Sequence, residues 1–208
     1  MVVKTPFTNV GPTLINYDFA DILSDVGYVT VFAMIDLANN ETLVRQTIES
    51  NDLSVDYDPS STGLQGESNF DYEFRTPTRL DGLCYVKITY FARASGTQTA
   101  STQVKVRLIH LDTGASETEI GAQQAGPLLT ETTDSTTTYR NVTFTFDINQ
   151  TFAKDEKIRL EVEVYSEHTV NSLAGFLIDP ANRDHGQAST TLAPSSQLKV
   201  LLPFPLET

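Results

Sequence analysis

The residues of this chain that could do chemistry are mostly carboxylates: 27 Asp and Glu stand against 14 Lys and Arg in 208 residues. Asp56, Asp58, Glu67 and Asp71 flank one loop, and carboxylate oxygens are what a hard cation such as calcium takes. Their spacing fits no EF-hand, and solvated loop acids are the ordinary outcome in so acidic a chain. Calcium is the one cofactor left open, with those four as its candidate ligands. His110, His168 and His185 lie in unrelated segments without the spacing a zinc site needs. No Gly-x-Ser-x-Gly elbow and no Gly-rich phosphate loop occurs. Asn40, Asn141 and Asn149 each open an Asn-x-Thr sequon and are candidate glycosylation acceptors.

The sharpest motif is Asp112-Thr113-Gly114-Ala115-Ser116, after an apolar strand over residues 104–111. It resembles the catalytic loop of the aspartic proteases. That resemblance implies a catalytic Asp112 sharing a proton with a second copy in a dimer. The chain holds a single copy, with neither a flap hairpin nor the later apolar-apolar-Gly motif. Asp and Gly are also ordinary residues of tight turns. Asp112 is therefore expected to hold a turn, no catalytic residue is assigned and the chain is not expected to be an enzyme. A dimeric aspartic-type hydrolase is the enzymatic alternative.

The elements that must position these residues are strands. Val142, Phe144, Phe146 and Ile148 alternate with Thr143, Thr145 and Asp147. Ile158, Leu160, Val162 and Val164 alternate with Arg159, Glu161 and Glu163. Such period-two patterns mark strands with one face in a core and one in water. Similar runs are predicted over residues 28–37, 43–48, 53–57, 70–75, 83–93, 103–111, 117–123, 173–178 and 197–204, with a turn at Asp81-Gly82. The strand over 28–37 is apolar on both sides, which predicts cover on both sides. Tyr85 and Phe91 face away from Cys84, Val86, Ile88 and Tyr90, either lining a ligand groove or packed under a loop or a neighbouring subunit. Residues 1–27 read as an arm with at most one short helix, capped by Asn16 and ended by Gly27. Residues 28–208 read as one antiparallel β-sandwich of jelly-roll type, because the strand count exceeds an immunoglobulin sandwich and no Cys…Trp…Cys core exists.

Charge and composition exclude several classes. A net charge of −13 and a pI near 4.5 argue against nucleic acid, whose phosphates would be repelled. One cysteine, Cys84, excludes an internal disulfide and reads as a buried hydrophobe. The N-terminus lacks the apolar region of a signal peptide, and no window reaches membrane-spanning length.

The strand pair around residues 152–164, the segment 176–184 and Leu201-Leu202-Pro203-Phe204-Pro205 resemble, in style, single-jelly-roll structural proteins of virus particles. The resemblance covers most of the chain at the level of architecture. It implies a capsid, decoration or other shell-associated protein located in the virion. Its partners would be its own copies, as a trimer or larger homo-oligomer, and other virion shell proteins. The alternative is a carbohydrate-binding β-sandwich module, which the absence of Trp disfavours.

Overall fold

The computed structural model describes residues 26–59, 61–95, 99–167, 172–183 and 196–205. The expected arm and its short helix, with the boundary drawn at residue 27, fall almost wholly outside them, as do His168 and His185. The described residues are all β, with no helix.

The strands form one continuous hydrogen-bonded sheet that folds over on itself, so that two four-stranded portions face each other. One has the order β9 (Thr137–Phe152), β5 (Thr78–Ala94), β12 (Lys199–Pro205), β1 (Val26–Ile35). The other has the order β4 (Gly63–Glu73), β10 (Lys157–Ser166), β6 (Ala100–Leu111), β7 (Glu117–Ala125). Among these eight strands, apart from the β6–β7 hairpin, successive strands alternate between the two sides, which is the double Greek key of a jelly roll. The expected fold class is therefore observed. β2 (Glu41–Val44) bridges one corner, antiparallel to β1 and joined to β4 by the single parallel pair Thr42–Asp71. β11 (Ser172–Leu177) takes over from β12 along the second half of β5 and carries β3 (Ser54–Tyr57). At the other corner Gln124 Nε2 donates to the Thr145 carbonyl across the gap between β7 and β9, at 2.5 Å.

The alternation read in β9 and β10 decides the core. Phe144, Phe146 and Ile148 point inward from one sheet, and Ile158, Leu160, Val162 and Val164 from the other; all are buried. Val86 and Ile88 of β5, Val106 and Leu108 of β6, and Phe70 of β4 complete the layer between them. Phe152 closes one end, stacked on Phe74 with ring centroids 4.5 Å apart. Cys84 is buried in the same layer, where burial pushes its thiol well above the ordinary range.

Local expectations fail where a long partner strand overrides them. Asp81-Gly82 is not a turn: it lies inside the 17-residue β5 and pairs with Asn149 and Ile148 of β9. Gly82 absorbs the resulting bend at φ +128°. Leu129–Glu131 forms a short strand, β8, on β6, where the sequence predicts no strand. β1 buries Val29, Val31, Ala33 and also Met34, while Tyr28 and Phe32 stay half-buried on its outer side. Glu161 and Glu163 point outward as the alternation requires, yet they are only 6% and 7% exposed. The outer face of β10 is covered by its own neighbours.

Truncation tests this register. Phe144→Ala and Leu160→Ala should each cost about 2 to 5 kcal/mol, since each empties a close-packed layer. Thr145→Ala, on an exposed outward position, should cost no more than about 1 kcal/mol. Thermal melting of the three variants checks the order, and equal melting temperatures would mean that the inward and outward faces are misassigned.

Candidate functional site

Three polar clusters stand out. The first lies on the outer face of the β4-β10-β6-β7 sheet, where register sets Glu161 between Asn69 and Arg107, and Glu163 between Glu67 and Lys105. Arg107 Nε donates to Glu161 Oε1 at 2.5 Å, and its Nη2 reaches Glu163 Oε1 at 3.3 Å. Glu163 Oε2 accepts from Gln123 Nε2 and from the Tyr165 hydroxyl, both at 2.9 Å. Lys105 Nζ lies 3.8 Å from the centre of the Tyr165 ring, a cation–π contact that roofs the cluster. Burial, only partly offset by Arg107, pushes the Glu161 carboxyl above its usual value.

Glu67, Glu161 and Glu163 are the described side chains placed to hold a metal ion, with one oxygen of each within 4.8 Å of the others. An all-oxygen set suits a hard cation such as calcium or magnesium. Arg107 already supplies a positive charge to the two buried members, so the arrangement acts first as a charge network within the sheet.

The second cluster ties a loop to a corner. Asp179 is fully enclosed, and its carboxylate accepts from Arg183 Nε at 3.1 Å and from the backbone N–H groups of Ser50 and Arg183. Burial pushes this carboxyl up, but the Arg183 hydrogen bonds outweigh it and the net shift is downward. The third cluster is His110, whose Nε2 lies 2.8 Å from Glu156 Oε2 and whose Nδ1 lies 2.9 Å from Gln150 Nε2. With both ring nitrogens engaged, and the ring packed edge-on against Phe152, this histidine is held in place rather than poised against a nucleophile.

The residues singled out from the sequence scatter over the sandwich. Asp112 Oδ1 accepts from the backbone N–H groups of Gly114 and Ser116, each at 2.8 Å, and these bonds hold its carboxyl below the usual range. It is a turn residue, with Ala115 taking the left-handed conformation at φ 62°. Of the calcium candidates, Glu67 joins Glu161 and Glu163, whereas Asp71 makes a two-pronged pair with Arg159 (2.7 and 3.1 Å) and faces Lys157. Asp56 lies on β3 opposite Gly175, and Asp58 follows the end of that strand, so the four do not form one ligand set. Asn40, Asn141 and Asn149 are all exposed. Asn40 is tied to Asp36, Asn141 accepts a hydrogen bond from Thr89, and Asn149 lies beside Arg79. Phe91 is buried against Tyr139 and Gly175, while Tyr85 stays on the outer face beside Tyr28. What the sequence did not reveal is the pairing of Glu161 and Glu163 with Arg107, because that depends on which strands are neighbours.

No protein-family model and no curated protein matches the sequence. Among solved structures, the fold is similar to a CocE/NonD family hydrolase from Staphylococcus aureus, with a TM-score of 0.51 and 15% identity over 86% of this chain. That match covers 37% of the hydrolase, so this chain spans little more than a third of its length. An aminopeptidase from a Thaumarchaeota archaeon of marine sediment gives a TM-score of 0.47, at 9% identity over 88% of this chain and 37% of that one. A chain of infectious bursal disease virus, Gx strain, gives 0.29, at 13% identity over 76% of this chain and 36% of that one. The last two are too distant in shape to carry an argument.

The hydrolase match corrects the expectation of a non-enzymatic virion shell protein of capsid or decoration type. That expectation rested on architecture, and the same architecture is found in a hydrolase from Staphylococcus aureus. The virion location loses its basis with it. At this identity the likeness itself establishes the fold.

Arg107→Met should lower stability at pH 7 by about 3 kcal/mol, because it leaves Glu161 and Glu163 buried without a counter-charge. Glu161 is raised in the folded state, so its contribution is most favourable at low pH and is lost as pH rises through its folded value. The deficit of the variant should therefore shrink as pH falls and the Glu161 carboxyl protonates. Chemical denaturation over a pH series checks it, and a deficit independent of pH would show that the charge network is not its cause.

Proposed function

We propose that this chain is the jelly-roll module of a hydrolytic enzyme or enzyme assembly. The carrying observation is the match of most of the chain to about a third of a CocE/NonD family hydrolase. A domain of that kind has its inward faces filled by packing, so it acts through outward surfaces and sheet ends. The outer face of the β9-β5-β12-β1 sheet offers one such surface, with Tyr28, Phe32, Tyr85 and Leu201 half-exposed and Leu83 45% exposed. Aromatic and aliphatic groups in that setting are what protein interfaces bury at their centres. Self-association belongs to the same proposal, with this face as the contact between copies.

The test is recovery of the tagged protein from the cells that express it, followed by assay against a panel of p-nitrophenyl esters and aminoacyl p-nitroanilides. Hydrolysis above that of a mock pull-down, by the chain itself or by what it brings with it, is the expected result. Absence of any ester or amide hydrolysis from both the purified chain and the recovered complex would overturn the reading. Sedimentation of the purified chain checks the self-association. Oligomers that Tyr28→Ser and Tyr85→Ser weaken are expected, whereas monomers alone at high micromolar concentration would refute that part.

A further inference from the structure

We propose that Lys87 and Lys199 form a binding site for a small oxyanion, a phosphate or sulfate group, on the outer face of the β9-β5-β12-β1 sheet. The site stands independently of the hydrolase reading. The two lysines are directly opposite one another in the antiparallel β5–β12 pair, where like charges are destabilising. The chain is acidic overall, and Arg79, Arg107, Arg159 and Arg183 each have a carboxylate partner. Among the described residues no carboxylate forms an ion pair with Lys87 or Lys199. Lys199 Nζ instead reaches the Gln197 amide oxygen at 3.3 Å. Partial burial, with the Lys87 charge adding to it, pushes the Lys199 ammonium below the ordinary lysine value.

The pair opens onto a shallow cavity of about 240 Å³ between β5, β9 and the segment leading into β12. Its other polar walls are Thr89, Asn141, Thr143 and Gln197, and no carboxylate lines it. Thr89 spends its hydroxyl proton on Asn141 Oδ1, which leaves the Asn141 amide N–H groups and the Thr143 hydroxyl as donors. Two ammonium groups beside neutral donors suit a compact, doubly charged oxyanion. Bound there, it would turn one repulsion into two charge-assisted attractions. A single carboxylate matches the charge less well. Asn141 also carries a sequon, so a glycan on its amide would crowd the same cavity, and the two uses would compete.

The experiment uses the whole chain, titrated with sodium phosphate, sodium sulfate and phosphoserine against sodium chloride at matched ionic strength. Melting temperature and heat of binding are read for the unaltered protein and for the Lys87→Gln, Lys199→Gln double variant. The expected result is a saturable rise of about 2 °C or more in the unaltered protein, as mass action requires of a ligand of the folded state. A saturable heat should accompany it. The double variant should melt no lower than the unaltered protein in chloride, since a repulsion has been removed. It should show only the gradual, non-saturating stabilisation that excluded salts give any protein. Saturation by phosphoserine as well as phosphate would assign the site to esterified phosphate groups, and by inorganic anions alone to free ions. Equal responses of the two proteins, or no saturable heat in the unaltered one, would overturn the proposal.

Discussion

The burial of alternate side chains between the two sheets is the constraint on which everything else in this molecule depends. Because the period is two, fixing Leu160 and Val162 inward fixes Arg159, Glu161 and Glu163 outward, and the apolar faces of β4 and β6 then fix the register on either side. That register, chosen by the core, decides what each outward residue meets. Glu161 meets Arg107, Asp71 meets Arg159, and Lys199 meets Lys87. The first two are relieved by opposite charge. The third is not, and it is the one place among the described strand pairs where two lysines oppose each other.

The acidity of the chain has a second explanation in the turns. Asp36 accepts from the N–H groups of Ala38 and Asn40, Asp112 from Gly114 and Ser116, and Glu131 from Thr132 and Thr133. Glu156 accepts from Ala153, Asp179 from Ser50 and Arg183, and Glu41 from Asn69. A sandwich whose chain crosses repeatedly between sheets has many connections with unpaired backbone donors, and a carboxylate satisfies them with a charge-assisted bond. Asp36, Asp112, Glu131, Glu156 and Asp179 all have lowered pKa values. A depressed carboxyl stabilises the fold above its unfolded value and loses that contribution as pH falls through its folded one. Glu161 works in the opposite sense, so acid relieves the sheet face while it loosens the turns.

The two long strands and the sandwich were legible in the sequence because alternation is a local signal. Asp81-Gly82 was misread because turn chemistry is local as well, and sixteen paired positions along β9 outweigh it. The three residues of β8 gave no periodicity to read. The polar face of β10 was taken as solvated, since nothing in Arg159, Glu161 and Glu163 announces that Arg107, more than fifty positions earlier, lies beside them. The same limit hid the lysine pair, which lie 112 positions apart in the chain (199 − 87) and meet only when β12 pairs with β5. The virion reading failed for a different reason. It moved from architecture to role, and a jelly roll is compatible with several roles.

Function in such a fold belongs to the surfaces that packing leaves over, and the two outer faces are electrostatically unlike. On the β4-β10-β6-β7 face, Arg107 answers Glu161 and Glu163, Arg159 answers Asp71 and Glu117, and Gln123 and Tyr165 donate to the second oxygen of Glu163. The β9-β5-β12-β1 face combines half-exposed aromatics with a positive pair that its own strands do not neutralise, in a chain of net charge −13. Apolar surface favours contact with another protein, and uncompensated positive charge favours an anion. Both features fall on one side of the sandwich, the side that the proposed contact between copies and the proposed oxyanion site share.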